Sequence, residues 1–192
     1  ILLKLYTGVN NFYTKRLKAG EKPKTFVNPF VSLYGTTTAG AVHSALSEDD
    51  TEAGWLGRFL FLPTHDARPQ SQVPASVNDI PESVFHWIED ICTTKTPYIV
   101  GYRKRALQRL QIYQDTIDAH LRSDSINPIV RAASVRKVEM VKKLSLISAV
   151  SRNAKKPTIN LDDVEWAIAL VEYSNAYVKS ELVQAIEAGA AE

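Results

Sequence analysis

The feature that most constrains this chain is a heptad seam near its C-terminus. Val164, Ile168, Val171, Asn175, Val178, Leu182 and Ala185 recur at alternating steps of four and three, with Asn175 the one polar member. A stripe of that length on a helix must lie along another helix, either within the chain or in an oligomer. Asn160 stands ahead of it as a helix cap, with Asp162 and Asp163 in the first turn, where the helix dipole favours negative charge. The same period appears upstream. Ala106, Leu110, Tyr113, Ile117 and Leu121 share one helical face, and the polar run from Ser123 to Pro128 ends that helix. A third helix is predicted from about Ile129 to Ser151, with Val135, Val138, Val141 and Leu144 inward. From Arg103 onward the chain is therefore expected to be nearly all helix.

The preceding region changes character. Pro81 opens a shorter helix, with Glu82 in its first turn and Val84, Trp87, Ile88 and Ile91 as its expected buried stripe. His86 is expected to pack at the edge of that stripe, and Tyr98 to Gly101 is either a short strand or an extended entry to the next helix. Pro63 to Ile80 has low hydrophobicity and two internal prolines, the pattern of a loop. Further upstream, Phe30, Val31, Leu33 and Tyr34 form an apolar run that is bounded by Pro29 and Gly35 and is too short for a helix. It predicts a strand buried on both faces near 29–35. A second buried strand is predicted near 58–62, after Gly57-Arg58. Buried strands belong to α/β sheets, where ligands gather beyond the carboxyl ends, and Thr36 to Thr38 fall just past such an end. Thr38 is also a plausible N-cap for a short helix from Ala39 to Leu46. Residues 1–6 are expected to end a helix, with Leu2, Leu5, Val9 and Phe12 extending its spacing, and Lys15 to Lys24 forms a basic connector, solvated or facing DNA.

Charge is unevenly distributed. Residues 101–156 hold 13 Lys or Arg against Asp115, Asp118, Asp124 and Glu139, a net charge of +9, which leaves −7 elsewhere in a chain of net +2. A basic block beside an acidic remainder points to a polyanion, against the plainer reading of a solvated helix face. Cys92 is the only cysteine, so one chain can form neither an internal disulfide nor a cysteine zinc cluster. The carboxylates Asp49, Asp50 and Glu52 lack the spacing of a calcium loop, and His65-Asp66 has no nucleophile in a strand-turn-helix elbow. No metal site or hydrolase triad is expected. No apolar run is long enough to span a membrane, and a soluble, cytoplasmic protein is expected. An opening in mid-apolar sequence, with Met140 the only methionine, is expected of a piece of a longer polypeptide.

The segments NPFVSLYGTTTAG, GWLGRFLFLP, RKVEMVKKLSLISAVSRN and INLDDVEWAIAL resemble the C-terminal part of phage and prophage primase-helicases. In those proteins the second half of an AAA+ or RecA-like ATPase core is followed by a helical lid. The resemblance implies a mainly α chain with a small buried β portion in its N-terminal third: a partial α/β core over residues 1–78, then a lid-like bundle over 79–192. It implies that Thr36 or Thr37 orients an attacking water and that Arg58 reaches the γ-phosphate on a neighbouring subunit. Arg131 or Arg136 would be the second sensor, and Lys15, Arg16, Arg103, Lys104, Arg105, Lys142 and Lys143 would contact DNA. The Ile159, Asp163, Val164, Ala167 pattern is similar to the lid helix of minichromosome maintenance helicases. Where family members often carry arginine, this chain has Lys142-Lys143, and lysine acts as a point charge rather than bidentately. The implied partners are single- or double-stranded DNA and further copies of the chain, in a ring or another homo-oligomer. No G-x-x-x-x-G-K-[ST] loop occurs, so ATP and Mg would be held by an N-terminal half outside this sequence, and the chain would not be active alone. The alternative is a non-catalytic helical module for DNA or protein, since the same helix pattern is similar to histone-fold segments. Two buried strands would favour the motor.

Overall fold

The computed structural model describes residues 12–15, 24–27, 31–38, 40–42, 56–64, 81–93 and 99–184. The chain forms two compact units, Ile1–Ala45 and Leu46–Glu192. The expected boundary at 78 lies outside the described residues, and the segment 56–64 belongs to the second unit.

In the first unit, β1 (Phe12–Lys15) and β2 (Lys24–Val27) pair antiparallel, with Phe12 opposite Val27 and Lys15 opposite Lys24. FYTK and KTFV are rich in aromatic and β-branched residues, which suit a pleated surface. Lys15 and Lys24, the ends of the expected connector, are strand residues, residues 16–23 between them lie outside the described residues, and Phe12 belongs to a strand rather than to a helical spacing. Residues 31–38 form no strand. Leu33 is 56% and Tyr34 95% exposed, which corrects the buried strand expected there. A strand buried on both faces needs neighbouring strands, and none pairs with this run among the described residues. Residues 40–42 are helical, and Thr38 caps them: its Oγ1 accepts from the Ala41 N–H at 3.4 Å.

The second unit is helical: α1 (Glu82–Cys92), α2 (Lys104–Leu121), α3 (Pro128–Ser134), α4 (Lys137–Arg152) and α5 (Leu161–Tyr177), which runs on through a π-helical turn, Val178–Leu182. A parallel bridge between Tyr102 and Ile159 sets the entries to α2 and α5 side by side, with the Arg103 N–H on Ile159 O at 2.9 Å and the Ile159 N–H on Gly101 O at 3.0 Å. These two helices consequently start at one end of the bundle and run the same way, while α4 runs against α5. The predicted seam packs within the chain. Val164, Ile168, Val171, Asn175, Val178 and Leu182 are all buried, and Val164 and Ile168 join Ala106, Leu110, Tyr113 and Ile117 of α2 in the core. Each fully buried aliphatic side chain contributes roughly 1.5–3 kcal/mol by leaving water.

Three helical expectations need correction. The helix predicted from 129 to 151 breaks at Val135 and Arg136, and Val135 is exposed. Within α4 the expected face holds, with Val141 buried and Val138 and Leu144 half-buried against the core, and Lys137, Met140, Ser145 and Ala149 are buried with them. On α1 no residue is buried: Val84, Trp87, Ile88 and Ile91 all keep more than a third of their surface in solvent. His86 is exposed between Glu82 and Glu89, at 3.6 and 3.5 Å, rather than packed at an apolar edge. Helix α1 is held to the bundle by the Trp87 Nε1–H on Val150 O at 3.3 Å and by Lys155 on Asp90 at 3.0 Å.

Candidate functional site

The segment expected to be a second strand is instead a 3₁₀ turn, Leu56–Arg58, followed by residues 59–64, which belong to no strand among the described residues. Its backbone is anchored on α5. The Phe61 N–H donates to Ser174 Oγ at 2.8 Å, and Tyr173 OH donates to Pro63 O at 2.9 Å. Phe61 stands between Phe59 and Tyr177, with both ring centroids 6.4 Å away. Side-chain hydroxyls on a helix have taken the place of a neighbouring strand. A small apolar cleft under the turn is lined by Leu56, Phe59, Leu60, Lys137, Met140 and Val178.

Gly57 seats this turn. A Cβ built there would lie 2.9 Å from Ala132 O, 3.4 Å from Ala133 O and 3.7 Å from Arg136 Cβ. Only a residue without a side chain lets the backbone come this close to the end of α3. The position next to Gly57 is Arg58, which is half-buried. Gly57, the residue before Arg58, therefore approaches Arg136 at the α3–α4 junction.

The cations of that junction have distinct surroundings. Arg131 donates from Nη1 to Leu121 O and from Nη2 to Ser123 O, both at 2.8 Å, and so caps the carbonyl end of α2. Arg136 donates from Nη1 to Glu139 Oε2 at 2.6 Å, and Lys143 reaches Glu139 Oε1 at 2.8 Å. Burial pushes the Glu139 carboxyl up, but the hydrogen bonds from Lys143 and Arg136 outweigh it and hold the group below its ordinary value. Of the two second-sensor candidates, Arg131 has a structural task and Arg136 is held by one carboxylate.

Beside this junction lies a network the sequence reading missed. Lys137 is only 3% exposed, and its Nζ is 3.1 Å from both Glu172 carboxylate oxygens, while Tyr113 OH donates to Glu172 Oε1 at 2.6 Å. The three residues tie α4, α5 and α2 together. Burial pulls the Lys137 ammonium down from its ordinary value, with Glu172 opposing the shift. Burial also pushes the Tyr113 hydroxyl well up, and Glu172 adds to it. The signal was available in principle: Lys137 falls four residues before Val141 on the buried face of α4. At the other end of the bundle Asp163 is 4% exposed and accepts from the Asn160 N–H at 2.8 Å, Ser148 Oγ at 2.8 Å and Arg152 Nη2 at 2.7 Å. Its burial raises the carboxyl, and these bonds more than reverse that, leaving it below its ordinary value. The Asn160 cap is thus half of a reciprocal capping box.

The remaining predicted residues are dispersed. Thr36 and Thr37 are exposed in the first unit, so the expected catalytic set is divided between the two units. Lys15 lies in β1, and Arg16 is outside the described residues. Arg103, Lys104 and Arg105 are exposed at the start of α2, Lys142 is exposed on α4, and Lys143 is half-buried against Glu139. The carboxylates Asp49, Asp50 and Glu52 and the His65-Asp66 pair are outside the described residues. Among the described residues no three His, Cys, Asp or Glu side chains converge as a metal site, and no helix is long and apolar enough to cross a membrane. No protein-family model, curated protein or solved structure matches the chain.

Proposed function

We propose that this chain is the C-terminal portion of an ATP-dependent DNA helicase or primase-helicase of phage or mobile-element replication, with the α2–α5 bundle as its helical lid. The observation that carries the reading is the close seat of Gly57, the residue before Arg58, on the end of α3 and near Arg136, where a Cβ built on Gly57 would lie 3.7 Å from Arg136 Cβ. An arginine placed against a lid helix by a glycine that permits backbone contact is held on a rigid base, as a group that stabilises transition-state charge must be. Arg58 is the trans-acting arginine in this account, and Arg136 is the second sensor, released from Glu139 when phosphate competes for it. ATP and Mg would be held by residues outside this sequence, which contains no phosphate-cradling loop.

One observation favours the other class. Arg103, Lys104 and Arg105 have no carboxylate partner among the described residues, as a helical module binding nucleic acid without catalysis would also require. The test is hydrolysis by the whole gene product, with and without DNA. DNA-stimulated turnover supports the motor. Absence of turnover while DNA binding persists would replace it with the binding module.

A further inference from the structure

Of the 13 cations in the basic block, seven have structural partners: Arg109 on Glu165, Arg131 on backbone carbonyls, Arg136 and Lys143 on Glu139, Lys137 on Glu172, Arg152 on Asp163, and Lys155 on Asp90. The six without such a partner among the described residues are not scattered evenly. Arg103, Lys104 and Arg105 open α2, and Lys156 sits three residues ahead of Ile159, whose bridge to Tyr102 aligns the two segments. Four cations without a carboxylate partner among the described residues therefore occupy one end of the bundle, on a backbone fixed by reciprocal hydrogen bonds. The acids at this end are mostly neutralised, since Asp163 is taken by Arg152 and Asp90 by Lys155, which leaves Asp162 exposed.

The placement also opposes local helix energetics. Cations at a helix start face the positive end of its dipole, and α2 has neither an acid in its first turn nor a side-chain cap. Helix α5, which begins beside it, has both. A start built against helix stability, next to one built for it, suits an anionic partner that supplies the missing negative charge.

Resting on the nucleic-acid reading above, we propose that this bundle end binds the sugar-phosphate backbone of DNA through Arg103, Lys104, Arg105 and Lys156, and that the exposed cations elsewhere on the bundle take no part. Recognition is by charge alone. Each phosphate contact contributes about −0.9 to the slope of log K against log salt on duplex and about −0.7 on single strands, so the four together contribute roughly −3.6 or −2.8.

The experiment measures anisotropy of a labelled random-sequence oligonucleotide, single- and double-stranded, titrated with the full chain in the absence of nucleotide. Salt is varied from about 50 to 200 mM. The variants are Arg103→Ala/Lys104→Ala/Arg105→Ala/Lys156→Ala and a control, Arg122→Ala/Lys179→Ala, and far-ultraviolet circular dichroism checks folding. We expect the four-site variant to lose about 3.6 from the duplex slope, so that its deficit in affinity shrinks roughly 100-fold across the salt range, and the control to match the wild type. An unchanged slope, an equal loss per charge in the control, or no binding by the wild type would each overturn the proposal. So would a four-site variant that loses binding to phosphatidylserine vesicles but not to DNA. Because no ATP is present, these outcomes are separate from the hydrolysis test.

Discussion

Replacing Asp163 by alanine removes one carboxylate and strands three donors: the Asn160 N–H, Ser148 Oγ and Arg152 Nη2. The first two lie within the folded interface between α4 and α5, and each bond is charge-assisted. A hydrogen bond to a charged group contributes about 1.5–3 kcal/mol. The bond from Arg152, whose side chain is half exposed, contributes much less because solvent screens it. Asp163→Ala should therefore cost about 3 kcal/mol, a fall in melting temperature of roughly 6 to 12 °C for a chain of this size. Asp163→Asn keeps one carbonyl acceptor and should lose about half as much. The pH dependence has a definite sign. The folded carboxyl is held below its ordinary value of 3.8, so its contribution is full above that value and is lost as pH falls through the lower folded value. The stability gap between wild type and Asp163→Asn, read from urea denaturation, should stay level from neutral pH to about 5 and close below about 4. A loss under about 1 kcal/mol for Asp163→Ala, or a gap that widens in acid, would refute the reasoning.

Two further changes probe the junction. Glu172→Ala leaves the buried Lys137 ammonium without its partner and should cost about 3 kcal/mol, whereas Lys137→Met, which removes the charge itself, should cost less. Equal losses in thermal melts would contradict the buried-pair account. Gly57→Ala forces a methyl to 2.9 Å from Ala132 O. It should cost about 1–3 kcal/mol in urea denaturation and speed proteolysis within residues 56–63, and a neutral effect on both would contradict the close approach.

What the sequence made legible follows where period decides structure. The α2 and α5 stripes gave their buried faces directly, and Asn160 marked a helix start that the structure retains. Val138, Val141 and Leu144 were read inward and do face the core, but the break at Val135 and Arg136 was not legible, because the apolar spacing runs through it. Period puts Lys137 on the face of Val141, but a lysine there is read as solvated without knowledge of its partners Glu172 and Tyr113, both distant in sequence. The β1–β2 pair was hidden by a chance four-three spacing ending at Phe12. The strand signals at 29–35 and 58–62 were read from composition, which cannot supply a neighbouring strand; the second run found Ser174 and Tyr173 instead. Gly57 was read only as part of a Gly-Arg step, and its close approach to Ala132 and Ala133 needed the structure.

The central claim is that Arg58 acts on nucleotide, and the direct measurement is the rate of DNA-stimulated ATP hydrolysis by the whole gene product carrying Arg58→Ala or Arg58→Lys. Loss of a trans-acting arginine predicts a fall of about 10³-fold or more in kcat for Arg58→Ala, with little recovery in Arg58→Lys because lysine lacks the planar fork, and with folding unchanged. A variant that hydrolyses ATP at the wild-type rate would contradict the claim and leave Arg58 as a packing residue of the 3₁₀ turn.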